Sequence, residues 1–177
     1  MMQQLAWSTI LTAWILYQSL APQQANLAQT LVHFTIKNAG FDVEGTFAQV
    51  HVQIRWDEQA AENCFITAQI PVNSINTGIR ARDRHLLKED YFYAAQYPAI
   101  QMKSRNISHK GNQNWEGKFD LTMRGVTKTL TIPFSYQKTD KGAIFSAQFS
   151  INRLDFQVGK SSWLMGDEVK IRVKITL

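Results

Sequence analysis

The feature that most constrains this chain is a two-residue hydrophobic alternation that recurs along most of its length. At the carboxy-terminal end Val169, Ile171, Val173, Ile175 and Leu177 alternate with Glu168, Lys170, Arg172, Lys174 and Thr176. The same period runs through Val32–Ile36, Ala48–Trp56, Lys118–Arg124, Thr129–Tyr136 and Phe145–Ile151. Successive side chains of a strand point to opposite faces, so each run describes a strand with one dry and one wet face. Cys64–Val72 and Ile100–Ser104 add two further strands, for about eight in all. Gly111-Asn112, Asp140-Lys141-Gly142 and Gly166-Asp167 lie between runs as turn signals. Pro133 falls inside a run, so its missing N–H must sit at an edge, a bulge or an unpaired position. Long strands that stay amphipathic to their ends would leave exposed edges in an open sheet, which favours closure into an antiparallel barrel. Eight strands enclose either packed side chains or one small ligand, and periodicity does not separate the two.

One segment breaks the alternation. Ile79–Asp90 has three large apolar residues and no two-residue period, and reads as a short polar helix with Asn76 or Thr77 as its cap. Tyr91, Phe92, Tyr93 and Tyr97 follow it and could plug one end of the barrel or line the way in. The first 25 residues are of another kind. Leu5–Leu20 is uncharged and mostly apolar, shorter than a membrane span, and fits an export signal or hydrophobic leader. Residues 26–177 then form one barrel domain, in a periplasmic or secreted protein.

Composition narrows the chemistry. The formal charge of +5 suits anionic head groups or peripheral membrane contact, but the basic residues form no block and no nucleic-acid-binding motif accompanies them. The single cysteine, Cys64, lies in a strand-like run beside Phe65 and Ile66 and reads as a small buried hydrophobe. The four histidines lack metal-ligand spacing, so no metal is expected. No nucleophile elbow, phosphate loop or dinucleotide fingerprint is present, so no catalytic residue is assigned and the chain is read as a non-enzyme. The most charged spot is Arg82-Asp83-Arg84-His85. It is either a polar rim that meets an anionic head group or an ion-pair network that ties the helix to the barrel.

Four ordered blocks resemble the YceI-like family. The first comprises Ser74-Ile75-Asn76-Thr77, Arg82-Asp83-Arg84-His85-Leu86, Asp90-Tyr91-Phe92 and Tyr97-Pro98-Ala99-Ile100. The second is Leu121-Thr122-Met123-Arg124-Gly125-Val126-Thr127-Lys128, the third Ile151-Asn152-Arg153-Leu154-Asp155-Phe156, and the fourth Gly40-Phe41 with Gly45-Thr46-Phe47. The family's usual Asp-Pro-x-His-Ser opening is here Leu27-Ala28-Gln29-Thr30, Lys37 is followed by Asn38 rather than His, and Gln157 stands where Gly is common. The resemblance implies an eight-stranded, lipocalin-like barrel with a helix-and-loop lid over residues 74–100. It also implies an elongated apolar cavity for a polyisoprenoid, an isoprenoid quinone or another long-chain lipid, held without covalent attachment, with no other cofactor.

The inward faces supply the candidate wall: Phe34, Ile36, Val50, Val52, Ile54, Leu121, Ile132, Phe134, Phe145, Phe149, Ile171 and Val173, with Leu86 and Phe92 from the lid. Arg82, Asp83, Arg84 and His85 form the candidate polar rim. Two other readings stay open: an enzyme acting on a lipid through Asp83 and His85, and a solid-core protein whose outer face binds a partner. Either a monomer or a homodimer is compatible with the strands.

Overall fold

Tight hairpins organise the chain. The computed structural model describes residues 23–24 and 30–177. The strands are β1 (Gln23–Gln24), β2 (Thr30–Asn38), β3 (Phe41–Phe47), β4 (His51–Arg55), β5 (Phe65–Pro71), β6 (Ile75–Asn76), β7 (Ala99–Gly111), β8 (Asn114–Met123), β9 (Val126–Thr139), β10 (Gly142–Asn152) and β11 (Met165–Thr176). The described α-helix, α1, spans Arg80–Leu86. Ala39-Gly40 joins β2 to β3 and Arg124-Gly125 joins β8 to β9, with all four residues at positive φ (52°, 84°, 51° and 75°). Two successive residues in that region make the turn whose twist matches paired strands, and the glycine carries the second position without a side-chain clash.

All strand pairs are antiparallel, in the order β1-β4-β5-β7-β8-β9-β10-β11-β2-β3-β6. The sheet curls into a half-barrel of lipocalin-like fold. One continuous stretch carries the strip round: β5 pairs with β4 and β7, and β6, three residues further on, pairs with β3. The terminal strands β1 and β6 have two residues each, and Phe41–Gly45 of β3 pair on one side only.

Nine strands have five or more residues, one beyond the expected eight. The addition is β3, which lies outside the alternating runs. Gly45 interrupts its apolar side because the Phe34 ring occupies that space: a Cβ on Gly45 would stand 2.2 Å from Phe34 Cζ. Strand β7 runs to Gly111 instead of stopping at Ser104. A bulge at Arg105 shifts the register between Ser104 and Asn106, which moves the inward position from even to odd residues and buries Ile107. Gly166-Asp167 is no turn but part of the irregular start of β11, where the register shifts between Met165 and Val169. The helix is shorter than expected, and neither Asn76 nor Thr77 caps it; Ile79 occupies that position with no side-chain hydrogen bond.

Pro133 obeys the expected rule. The Tyr136 N–H donates to Gln113 O beside β8, so by alternation residue 133 faces β10. Pairing between β9 and β10 ends at Phe134, one residue short of Pro133. The expected leader, Leu5–Leu20, lies outside the described residues.

Candidate functional site

The interior divides into a filled end and a hollow one. The filled end holds Trp56, Trp115, Phe119, Phe134, Tyr136 and Phe145. Ring centroids stand 4.7 Å apart for Trp56–Trp115, 4.9 Å for Trp56–Phe145 and 5.0 Å for Trp56–Tyr136. The first two pairs pack edge-to-face and the third is tilted by 33°, arrangements that fill space densely and gain beyond their area. The Tyr136 hydroxyl donates to Glu58 Oε1 at 2.9 Å, and burial followed by that contact pushes its pKa up to about 12. Cys64 is buried close by: its thiol donates to Asp57 O at 3.1 Å, and burial raises its pKa, which makes it a poor nucleophile.

Beyond the aromatic plug lies a cavity of about 190 Å³. It follows β2 from Thr30 through Val32, Phe34 and Ile36 to Asn38, which is about 26 Å of strand. It is therefore long and narrow. Val52, Ile66, Ala68, Met102, Leu121, Phe149 and the inward side of β11 complete the wall. Thr30 is its polar residue at the plug end. At the other end stand Asn38, Thr77, Arg82, Tyr91 and Arg153, beneath α1 and the loop after it. Phe92 closes over this end and meets Phe47 edge-on at 6.4 Å, and Phe47 meets Phe34 at 5.7 Å.

Ten of the fourteen apolar candidates line this cavity: Phe34, Ile36, Val50, Val52, Leu86, Phe92, Leu121, Phe149, Ile171 and Val173. Ile54, Ile132, Phe134 and Phe145 do not, although all four are buried. They face inward as expected but sit at the plug end, because alternation specifies a face and not a height along the barrel. Of the polar candidates, Arg82 lines the cavity while Asp83, Arg84 and His85 do not.

The charged cluster largely organises the lid. Asp83 Oδ1 accepts from the Thr77 N–H at 2.9 Å and the Thr77 hydroxyl at 2.5 Å. Arg82 Nε donates to Thr77 Oγ1 at 2.8 Å, and its Nη2 donates to Thr77 O at 2.6 Å. Both residues thus clamp the segment that enters α1. His85 lies outside this clamp, edge-on to Tyr91 with its Nε2 3.9 Å from Asp90.

Arg153, not among the candidates, is the most committed charge in the molecule. It is 4% exposed and lies in the short helical turn Arg153–Phe156. Its guanidinium donates to the carbonyls of Gly166 (2.9 Å), Val158 (2.9 Å), Lys160 (3.0 Å) and Met165 (3.4 Å), and to Asp167 Oδ1 (2.7 Å). It holds the 157–167 loop to the barrel end. The residue after that turn, Gln157, adopts φ 59°, a left-handed conformation that glycine takes more easily. The signal for Arg153 was present in the third sequence block. Among the described residues no three His, Cys, Asp or Glu side chains come together as a metal site.

Comparison with known proteins agrees with this architecture. An UPF0312 protein of Shewanella denitrificans is 28% identical over 106 residues, which covers 59% of this chain and 56% of the relative. One from Pseudomonas putida is 26% identical over 134 residues, covering 72% and 70%. The matched stretch thus spans 56% of the first relative's length and 70% of the second's. Among solved structures, Burkholderia cenocepacia BcnA superposes with a TM-score of 0.82 at 25% identity, over 86% of this chain and 99% of that one. A polyisoprenoid binding domain from Saccharophagus degradans superposes with a TM-score of 0.67 at 13% identity, over 86% and 95%. The YceI-like domain model matches residues 23–177, and the chain belongs to the YceI-like family.

Proposed function

We propose that this protein binds a long, slender apolar ligand, of the polyisoprenoid or isoprenoid-quinone class, in the cavity along β2, as a carrier or store. The observation that carries the reading is the shape and lining of that cavity: one narrow apolar channel with its polar residues confined to the two ends. A chain laid along it gains about 0.8 kcal/mol per methylene removed from water, before the loss of its own conformational freedom. Few directional contacts are then needed for affinity. The Saccharophagus degradans neighbour, a polyisoprenoid binding domain, supports the same class of ligand.

Binding rather than catalysis is favoured by the positions of Asp83 and His85. Asp83 is committed to Thr77, and neither residue lines the cavity. A solid-core reading fits less well, because the packed aromatics occupy one end only. Native mass spectrometry of the purified protein, with and without an added isoprenol, tests the proposal. The expected result is a lipid adduct that Ala68→Trp abolishes, since Ala68 lines the channel. A protein that carries no lipid and takes up none would refute it. We infer export to the periplasm or beyond from the uncharged Leu5–Leu20 stretch, and amino-terminal sequencing of the purified protein tests it.

A further inference from the structure

Exposed apolar side chains are normal when they are scattered singly. Here they are not scattered. Of the five large exposed hydrophobics among the described residues, four belong to the lid end: Phe41 (75% exposed), Trp163 (92%), Leu164 (44%) and Ile79 (53%). Leu31, on the outer side of β2, is the fifth. Two tips are joined by backbone: Ala39 N–H donates to Leu164 O at 2.6 Å, and Asn38 pairs with Phe41 on one side and Met165 on the other. Asn38 and Met165 both line the cavity. The apolar tips therefore flank its mouth.

We propose that this end of the barrel docks on a lipid bilayer carrying anionic head groups, with Trp163, Leu164 and Phe41 as the inserting residues. Clustered exposed apolar residues mark an interaction surface. A tryptophan this exposed suits the boundary between head groups and acyl chains, where its ring has apolar and polar partners. Charge points to the same occupant. Gly159–Leu164 carries a single ionisable residue, Lys160, and it is basic. The lid helix adds exposed Arg80 and Arg84. Lys37 and Asp42, at the base of the β2–β3 tip, neutralise each other at 2.9 Å. Exposed Glu89, Asp90 and Asp155 lie at the same end, so the basic character that matches an anionic bilayer surface belongs to the Trp163 tip itself, through Lys160. Docked this way, the mouth would open toward the bilayer, so that an apolar chain could pass between the two without crossing bulk water. That purpose rests on the ligand-binding reading; the docking itself does not.

The test uses the full-length chain with vesicles of phosphatidylcholine and phosphatidylglycerol, some prepared with brominated acyl chains. Bromine quenching of tryptophan emission is recorded as wild type minus Trp163→Tyr, so contributions from the other tryptophans cancel. Strong quenching in the difference signal is expected. Loss of vesicle affinity of about ten-fold or more is expected for Trp163→Ser combined with Phe41→Ser, and weakening by salt and by Lys160→Glu. No quenching at Trp163 would overturn the proposal. So would a wild-type dimer that Trp163→Ser converts to a monomer, because the tips would then be a contact between two copies. Uptake of an isoprenol delivered on cyclodextrin is measured on the same variants and should be unchanged. Its failure in wild type would count against the cavity reading and leave the docking result standing.

Discussion

Replacing Arg153 with methionine should cost about 3–5 kcal/mol of folding free energy, the range for breaking a buried charge network from one side. The reasoning starts from the five acceptors that the guanidinium satisfies. Where both members of a buried ion pair are replaced by apolar residues, stability often survives or improves. That escape is closed here, because four of the five acceptors are backbone carbonyls that no substitution removes. A methionine restores the volume and leaves those carbonyls short of donors, each at a cost of about 1–3 kcal/mol wherever water does not reach. The fifth acceptor, Asp167, has a side chain 38% exposed and can turn to solvent, so Asp167→Asn alone should cost about 1 kcal/mol or less. For a chain of this size the Arg153→Met loss corresponds to a drop in Tm of roughly 6–20 °C. Urea unfolding followed by circular dichroism and by tryptophan emission measures it. Arg153→Lys should recover little, because one ammonium cannot span acceptors arranged around a planar fork. A loss below about 1 kcal/mol in Arg153→Met would refute the reasoning and show that water replaces the guanidinium in this network.

Gly45→Ala should destabilise by about 1–3 kcal/mol through overpacking, since its new Cβ would stand 2.2 Å from Phe34 Cζ; Phe34→Leu in the same chain should restore part of the loss in a double-mutant cycle. Phe134→Ala, in the plug, should cost about 3–5 kcal/mol yet leave lipid uptake by the folded protein intact, whereas Ala68→Trp should do the reverse; denaturant midpoints read beside native mass spectra separate the two. Tyr136 has a folded-state pKa raised from the usual 10.0 to about 12, so its contribution is fully present below pH 10 and lost as pH rises through that interval. Ultraviolet difference titration should show one tyrosine ionising late, and Glu58→Gln should shift that step to lower pH, because the neighbouring carboxylate adds to the effect of burial.

What could be read from the sequence was the direction each side chain faces. Strand β11 shows it best: Val169, Ile171, Val173 and Ile175 all line the cavity, as their alternation with charged residues requires. Two interruptions hid the rest. At Arg105 a bulge reverses the inward parity of β7, so Ile107 falls out of step with Ile100 and Met102 while remaining buried. At Gly45 a partner's ring fills the place of a side chain, and β3 loses its apolar rhythm without losing its pairing. Whether the interior is hollow depended on something local periodicity does not contain. Phe145 and Phe149 lie four residues apart on the same face of β10; the first meets Trp56 edge-on in the plug and the second lines the cavity. The difference arises from what lies opposite them. Phe145 meets Phe134 and Tyr136 of β9 and Trp56 just beyond β4, whereas the hollow stretch sets short side chains such as Val52, Ala68 and Val173 among its rings. Strand register therefore decides cavity against plug, by bringing Trp56, Trp115, Phe134, Tyr136 and Phe145 together at one end and spacing the rings of the other end with short aliphatic residues. A one-residue slip would turn every inward residue outward, while a two-residue slip would keep the faces and displace the plug. The hairpin turns at Ala39-Gly40 and Arg124-Gly125, which hold register at the mouth end, are on this argument as necessary to the binding site as the residues that line it.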